Sequence, residues 1–279
     1  MIHVNTIISA VKELCVESNC DLGVDCVKAI KSAYRKESKK LPKEILSQII
    51  QNIKIAKVDH LPVCQDTGIA VIFAELGQEV KIEGGSLSSA INEGVRQGYK
   101  EGYLRKSVVG DPLRRENTKD NTPCVIHYDV VPGNSLKITV MPKGAGSENM
   151  SRIKMFNPHA GVEAVEGFVV ETVKNAGANP CPPVIVGVGI GGNFEKSAIL
   201  SKKALVRSIG ERNSDKYYAY LEKRLLKKIN QLGVGPMGVG GKGTALDVFV
   251  EQYPCHIASL PVAVNIQCWV ARHRSAVLK

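Results

Sequence analysis

The sequence predicts an α/β protein, in which a mixed-sheet domain carries a helical N-terminal layer. Two patterns lead to this prediction. Apolar side chains recur at helical spacing through residues 1–60, whereas short apolar runs bounded by Gly-rich turns alternate with helices through residues 61–279. The chain has 279 residues and is 44% hydrophobic, so it can bury a large core. Because no linker or internal repeat is evident, we expect one domain spanning both parts.

Three helices account for the first sixty residues. The first begins at Asn5 or Thr6, either of which can cap it, and the second spans residues 25–35. The third begins near Pro42, because proline suits the first turn of a helix. Together these segments predict the helical N-terminal layer.

Strands and helices alternate beyond Leu61. We expect strands at residues 69–76, 184–190 and 245–252, and helices at residues 87–103, 160–174, 197–208 and 216–232. The apolar segments 124–131 and 136–141 flank Pro132-Gly133-Asn134, a turn-forming sequence. These two segments therefore predict a β-hairpin.

The chain is basic, with a formal net charge of +10. This charge is consistent with a solvated basic surface, an anionic substrate or an acidic partner subunit. Nucleic acid is disfavoured, because the basic residues are spread out, aromatic content is only 5% and no binding motif occurs. No apolar run is long enough to span a bilayer, and the N-terminus lacks the features of a signal peptide. We therefore expect a cytoplasmic protein with no membrane association.

The eight cysteines favour core or metal-binding roles over disulfides in a chain without a secretion signal. Cys15 and Cys26 fall on apolar helix faces and are expected in the core. Cys64, Cys181 and Cys268 instead lie in turn-prone or polar stretches beside apolar runs. They are far apart in sequence and no C-x-x-C pair occurs, so they can meet only on a finished fold. Three such thiolates suit an iron–sulfur cluster with one iron left open.

Three glycine-rich segments each have more than one interpretation. Residues 187–192 match G-x-G-x-x-G, but the acidic residue of a dinucleotide site is missing, and we expect these glycines to allow close backbone approach to whatever Cys181 holds. Residues 235–244 resemble a phosphate loop in which glycine replaces the hydroxyl residue after Lys242, which leaves an anion-binding nest or a flexible turn. Residues 143–149 either expose N–H groups suited to a carboxylate or form a plain loop.

Three polar side chains are candidates for the chemistry. Asp66 lies two residues from Cys64, where a carboxylate could handle a proton or orient water. Arg105 offers a bidentate fork for a carboxylate, although a solvated arginine is the simpler interpretation. His256 lies twelve residues before Cys268, and a lone histidine is more often structural than catalytic.

Several short motifs follow one another along the chain. They are Cys-Gln-Asp-Thr-Gly at 64–68, Asn-Thr-Lys-Asp-Asn-Thr-Pro at 117–123, Lys-Gly-Ala-Gly-Ser-Glu-Asn at 143–149, Pro-Cys-Pro-Pro at 180–183 with the glycines of 187–192, His-Ile-Ala-Ser-Leu-Pro at 256–261 and Asn-Ile-Gln-Cys at 265–268. In this order they resemble the α subunit, or N-terminal domain, of class I iron–sulfur fumarate hydratases and the similar L(+)-tartrate dehydratases. The resemblance covers nearly the whole chain, and the ordered set is specific although each motif alone is weak.

The resemblance implies a cofactor, a substrate site and a partner. It implies a [4Fe–4S] cluster on Cys64, Cys181 and Cys268, with His256 near the cluster. Gln65, Asp66, Arg105 and Gly146 would line the substrate site. A separate β subunit would complete the active site, in an α2β2 assembly, so that this chain alone is inactive. Trp269, where a smaller or more polar residue is expected, and Ala145 in the glycine loop depart from the family pattern.

We therefore expect an iron–sulfur hydro-lyase α subunit acting on a C4 hydroxy-dicarboxylate, with fumarate and malate as first candidates and L(+)-tartrate as the alternative. Asp66 and His256 are the candidate catalytic residues. A redox or sensor module is the competing class, and it needs a fourth protein ligand such as Cys124 or Cys255. An assembly protein without a cluster is the third interpretation.

Overall fold

The computed structural model of the protein describes all 279 residues. The helices are α1 (Val4–Cys20), α2 (Val24–Lys36), α3 (Lys40–Asp59), α4 (Leu87–Glu101), α5 (Ala145–Glu148), α6 (Gly161–Ala176), α7 (Phe194–Ala204) and α8 (Lys216–Asn230). The strands are β1 (Ile2–His3), β2 (Ile69–Gly77), β3 (Ile82–Glu83), β4 (Val125–Val131), β5 (Leu136–Lys143), β6 (Arg152–Phe156), β7 (Val184–Gly191), β8 (Ala245–Tyr253), β9 (Leu260–Gln267) and β10 (Arg274–Leu278). Short 3-10 turns occur at Pro158–Ala160 and Pro236–Gly238.

The chain divides into two compact units, each assembled from separate stretches of sequence. The first contains Met1–Leu22, Ile53–Ala145 and Arg272–Lys279, and the second contains Gly23–Asn52 and Gly146–Ala271. Each unit has its own four-stranded sheet. The predicted α/β class with mixed sheets is confirmed, whereas the single domain with parts 1–60 and 61–279 stays a prediction.

Most predicted helices form with small shifts at their ends. Three helices cover most of the first sixty residues, as the apolar spacing predicts. The cap of α1 is His3 rather than Asn5 or Thr6, because its side chain accepts a hydrogen bond from the N–H of Asn5 at 3.2 Å. Helix α6 ends at Gly177, whose φ of 54° suits glycine. None of the helices is both long and apolar enough to cross a membrane.

The first unit packs α1 and α4 closely together over its sheet. Gly94 and Gly98 of α4 allow this contact, since a Cβ atom at Gly94 would lie 2.7 Å from the Cβ atom of Val11, and one at Gly98 2.8 Å from that of Cys15. Both partners are fully buried. The close approach places Tyr99, the next residue of α4, in the same apolar core.

The predicted hairpin of β4 and β5 is wrong. The strand order is β10–β5–β2–β4, so that β2 lies between the two segments, antiparallel to β5 and parallel to β4. The connection after β4 bonds instead to the end of β2, where the N–H of Gly77 donates to the carbonyl of Ser135 at 2.9 Å. Strand β2 is buried along most of its length, and a central position covers both of its edges and faces.

The second unit is organised around β7, which lies between β8 and β9 in the order β6–β9–β7–β8. Gly187 and Gly189 lie within this strand, not in a turn that could approach a ligand. A Cβ atom at Gly187 would lie 2.0 Å from the carbonyl oxygen of Ser201, and one at Gly189 2.1 Å from that of Ser197. Gly187 and Gly189 therefore admit the backbone of α7, which differs from the predicted approach to whatever Cys181 holds.

The phosphate-loop-like segment of the second unit receives a carboxylate from the protein itself. The N–H of Lys242 donates to Glu37 at 2.7 Å, and the N–H groups of Ser38 and Lys39 donate to the same carboxylate at 2.9 Å. Burial alone would raise the pKa of the Glu37 carboxyl, but these hydrogen bonds and the charge of Lys242 lower it. The segment therefore contributes one N–H group to a carboxylate that the protein itself supplies.

The packing of α7 on β7 makes a testable prediction. We expect Gly187→Ala to destabilise the protein by about 3 kcal/mol, because its Cβ atom would collide with main chain that cannot move aside. Gly167→Ala is the control. It lies inside α6 with no atom within 4 Å of its added Cβ, so it should stabilise by up to about 1 kcal/mol. Denaturant unfolding measures both, and a Gly187→Ala variant as stable as wild type would contradict the packing.

Candidate functional site

In the first unit, the loop Cys64–Gly68 connects α3 to β2. Cys64 and Asp66 are half-buried and Gln65 is exposed, whereas Thr67 and Gly68 are buried. The loop therefore turns three polar side chains outward while its end is fixed in the interior.

Two buried polar side chains hold the end of this loop. The hydroxyl of Tyr99 donates to the carbonyl groups of Thr67 and Gly68, at 2.8 and 3.1 Å. The amide of Asn121 donates to the carbonyl of Gly68 at 3.2 Å and accepts the N–H of Ser107 at 2.6 Å. Burial raises the pKa of Tyr99, so its hydroxyl stays a donor. These contacts satisfy main-chain groups that would otherwise be buried without partners.

Asp66 is oriented by main-chain donors on both of its oxygens. The N–H of Gly68 donates to Oδ1 at 3.0 Å and the N–H of Ala145 donates to Oδ2 at 3.1 Å. A Cβ atom at Gly144 would lie 3.0 Å from Oδ2, so only glycine fits comfortably there. The segment 143–149 thus donates to a carboxylate, but this carboxylate is that of Asp66, and donation to a substrate stays a prediction.

Arg105 lies beside the same loop. The hydroxyl of Thr67 donates to its carbonyl group at 3.1 Å, and its side chain is exposed. The first unit therefore brings Gln65, Asp66 and Arg105 to one region, next to Cys64. A guanidinium, an amide and a carboxylate together can bind and orient a carboxylate-bearing ligand.

Three further residues at this loop were not identified from the sequence. Tyr99 was expected only as a helix residue, and Asn121 lies in a quoted motif to which no role was given. Arg272 is 2% exposed, and its Nη2 donates to the carbonyl of Asp66 at 2.5 Å. The sequence signal for Arg272 is weak, because nothing in it shows that residues 66 and 272 meet.

In the second unit, Cys181 and Cys268 lie at the same end of the sheet. Cys181 precedes β7 in a turn with φ of 53°, and Cys268 directly follows β9. These strands are antiparallel neighbours in which Ile185 pairs with Gln267. The N–H of Trp269 donates to the carbonyl of Cys181 at 3.3 Å and so ties the two turns together.

Trp269 packs inward at this end of the sheet. Its side chain is buried, and its carbonyl accepts a hydrogen bond from the thiol of Cys26 at 3.4 Å. Gly146 lies beside the same turn, because a Cβ atom there would approach the carbonyl oxygen of Asn179 to 3.1 Å.

His256 lies at the opposite end of this sheet. It sits in an exposed turn between β8 and β9, where its Nδ1 accepts the N–H of Ala258 at 3.1 Å. The eight residues of β9 separate it from Cys268, which corresponds to roughly 25 Å along an extended strand. The second unit therefore does not bring His256 to its own two cysteines, and the role of His256 stays a prediction.

The eight cysteines differ in exposure. Cys64, Cys181 and Cys268 are half-exposed, Cys15, Cys20, Cys26 and Cys124 are buried, and Cys255 is exposed. Burial raises the pKa of Cys26 and of Cys124 to about 12, which disfavours the thiolate that a metal ligand needs. Cys15 and Cys26 lie in the interior, as predicted.

The chemistry of Cys64, Cys181 and Cys268 fits a thiolate-bound iron–sulfur cluster, since these three half-exposed thiols lie in turns at the ends of regular elements. No group of three or more His, Cys, Asp or Glu side chains forms a ready metal site in the structure.

Comparison with known proteins agrees with the resemblance found in the motifs. The family model for fumarate hydratase (Fumerase) matches residues 8–277. The chain is 48% identical over 268 residues to the putative L(+)-tartrate dehydratase subunit alpha of Methanocaldococcus jannaschii, with 94% of each chain covered. It is 34% identical over 260 residues to the L(+)-tartrate dehydratase subunit alpha of Escherichia coli strain UTI89, with 92% of this chain and 84% of that one covered. Because the match extends over nearly the whole chain, the protein belongs to the fumarate hydratase (Fumerase) family of hydro-lyases.

Proposed function

We propose that the chain is the α subunit of an iron–sulfur hydro-lyase that reversibly adds or removes water on a C4 hydroxy-dicarboxylate. The observation that supports this most directly is the loop that presents Cys64, Gln65 and Asp66 beside Arg105. A thiol, a proton acceptor and carboxylate-binding groups are what such a reaction needs in one place. Fumarate and malate are the first candidates.

L(+)-tartrate is the second candidate substrate. The relatives at 48% and 34% identity carry the name L(+)-tartrate dehydratase subunit alpha, which favours it. Malate and tartrate differ by one hydroxyl group. A pocket that pairs this hydroxyl group can discriminate strongly, whereas a pocket that does not pair it discriminates weakly.

We propose that Cys64, Cys181 and Cys268 are the ligands of a [4Fe–4S] cluster. When bound, such a cluster supplies an open iron that acts as a Lewis acid on the hydroxyl group to be removed. The half-exposed position of the three thiols supports this assignment. The side chains of the chain have three further tasks, which are binding, orientation and proton transfer.

Arg105 and Gln65 would bind and orient the substrate. The exposed guanidinium of Arg105 suits the remote carboxylate group, with two parallel hydrogen bonds. The amide of Gln65 can donate to a second carboxylate or to a hydroxyl group. Gly146 would line the substrate site without a side chain, since the carbonyl group of Asn179 leaves little room for one.

Asp66 is the candidate for proton transfer. Dehydration breaks a C–H bond on one carbon and a C–O bond on the next, so that a base must accept the proton while the electron pair forms the double bond. Two N–H donors fix the orientation of the Asp66 carboxylate, which supports a role that depends on direction. His256 is the second candidate, as a residue that orients water or a carboxylate.

A separate β subunit would complete the active site, in an α2β2 assembly. The relatives named as subunit alpha support such a partner. The net charge of +10 suits an acidic partner as well as an anionic substrate. This chain alone would then be inactive.

The structure offers nothing that favours the competing redox module. That class needs a fourth protein ligand, and burial raises the pKa of Cys124 to about 12. Cys255 lies in the exposed turn beside His256, where its thiol donates to the carbonyl of Ser259 at 3.3 Å. Neither position resembles that of the three half-exposed cysteines.

The first test is an assay of the chain expressed anaerobically with its β subunit. We expect hydration of fumarate or dehydration of L(+)-tartrate, and no activity from this chain alone. Iron and sulfide analysis of the same sample separates the assembly-protein interpretation, which predicts no iron. A fully loaded complex that acts on no hydroxy-dicarboxylate would rule out the proposed function.

The second test concerns the cluster ligands. We expect Cys64→Ser, Cys181→Ser and Cys268→Ser each to abolish the visible absorbance of the reconstituted cluster, because serine replaces a thiolate ligand. Cys255→Ser is the matched control, since it alters an accessible thiol outside the proposed set and should leave the spectrum unchanged. Loss of absorbance in the control instead would favour the four-ligand redox module.

The third test concerns Asp66. We expect Asp66→Asn to lower kcat by a factor of about 100 to 10,000 while the cluster absorbance is kept, because the amide cannot accept the proton. Asp215→Asn is the control, since Asp215 caps α8 and asparagine caps a helix equally well. Steady-state kinetics decides the matter, and a normal kcat in Asp66→Asn would assign proton transfer to another residue.

A further inference from the structure

Arg272 is a buried arginine that uses little of its hydrogen-bonding capacity. It is 2% exposed, and Nη2 donates to the carbonyl of Asp66 at 2.5 Å. Nε and Nη1 are buried and have no hydrogen-bond partner. A guanidinium group has five N–H donors and is always charged, so this arrangement leaves a charge poorly compensated in the interior.

Two other arginines of the chain, unlike Arg272, have carboxylate partners. Arg212 makes two contacts with the carboxylate of Asp247, at 2.5 and 2.7 Å. Arg207 pairs with Glu222 at 2.8 Å. Both are more exposed than Arg272 and still have carboxylate partners. A buried guanidinium without one costs stability, so packing alone does not account for Arg272.

The surroundings of Arg272 connect it to the candidate site. Its Nη2 and the Oδ2 atom of Asp66 both approach the position that a Cβ atom at Gly144 would occupy, at 3.8 and 3.0 Å. Asp66 and Ala145 are joined by a hydrogen bond at this place. The guanidinium thus lies beneath the main chain of the loop and close to the segment that orients Asp66.

We propose that Arg272 is a positioning residue of the dicarboxylate site, which fixes the Cys64–Gly68 loop through the Asp66 carbonyl group and carries a charge that a dicarboxylate bound at this loop balances. This inference rests on the proposed function for the identity of the anion. The carboxylate of Asp66 lies near the guanidinium but does not pair with its Nε and Nη1 atoms, and a dianion brought to the loop adds further negative charge. The charge of Arg272 and the planar geometry of its guanidinium contribute separately to the site, and two different substitutions distinguish these contributions.

The experiment compares Arg272→Gln and Arg272→Lys in the complex with the β subunit. Glutamine removes the charge, and we expect kcat/KM to fall at least about 30-fold with a raised KM. Lysine keeps the charge but loses the planar fork, so it should keep KM within about threefold of wild type and lower kcat. Arg274→Gln is the matched control, because Arg274 lies two residues away and likewise donates to a main-chain carbonyl, that of Asp21, at 2.7 Å. It should behave as wild type.

These outcomes decide the proposal even if one variant folds poorly. If Arg272→Gln is insoluble, a folded Arg272→Lys with normal KM and lowered kcat supports the proposal. A lysine variant whose KM rises as much as expected for glutamine overturns it, and so does an Arg272→Gln variant that is kinetically equal to Arg274→Gln.

A second measurement does not depend on turnover. L-malate or L-tartrate should raise the melting temperature of the wild-type complex and of Arg274→Gln, and raise that of Arg272→Gln by less than half as much. This difference can be present when no hydro-lyase activity is found, so that failure of the proposed function is distinguished from failure of the inference. Arg272→Gln could instead keep the full rise in melting temperature with dicarboxylate and lose only the rise that accompanies cluster loading. That result would overturn the assignment of the dicarboxylate as the anion that balances Arg272.

Discussion

The candidate site depends on how the main chain of one buried turn is satisfied. Thr67 and Gly68 carry carbonyl groups into the interior, where water cannot bind them, and the hydroxyl of Tyr99 donates to both. Tyr99 reaches them because α4 packs closely on α1 through Gly94 and Gly98. The small residues of one helix face therefore determine where the neighbouring tyrosine lies, and the tyrosine fixes the loop that presents Asp66.

Local patterns predicted the elements that local physics determines. Helix α6 ends at a glycine with positive φ, and β7 is a continuous apolar run, so both were found from the sequence. The hairpin failed because a turn sequence reports only on adjacent residues. Whether β2 enters between β4 and β5 depends on burying β2, which is a contact between distant segments. Strands β6, β9 and β10 were not predicted. The first and last are short edge strands whose side chains are largely exposed, whereas β9 is a buried strand that was missed.

The same division applies to the site. Cys64 and Asp66 stood out because polar residues in a turn beside an apolar run are visible in the sequence, whereas the role of Arg105 came from the family resemblance. Tyr99 and Arg272 did not, since each acts on the loop across a large sequence separation, 32 residues from Thr67 in one case and 206 residues from Asp66 in the other. A tyrosine on a helix face or an arginine after a strand has no local signature of such a contact. Supporting residues of this kind can be identified only from a structure.

Glu37 and Asp66 both bind main-chain N–H groups beside glycine-rich segments, and the difference between them bears on function. Glu37 is 3% exposed and accepts three N–H donors, so its charge is used entirely within the fold. Asp66 accepts two such donors and remains half-buried at the surface of its unit. A glycine-rich segment with exposed N–H groups therefore does not by itself indicate a ligand, because the protein can supply the anion. The exposure of Asp66, and the buried guanidinium of Arg272 with two unpaired nitrogen atoms behind it, make the Cys64–Gly68 loop the candidate for chemistry.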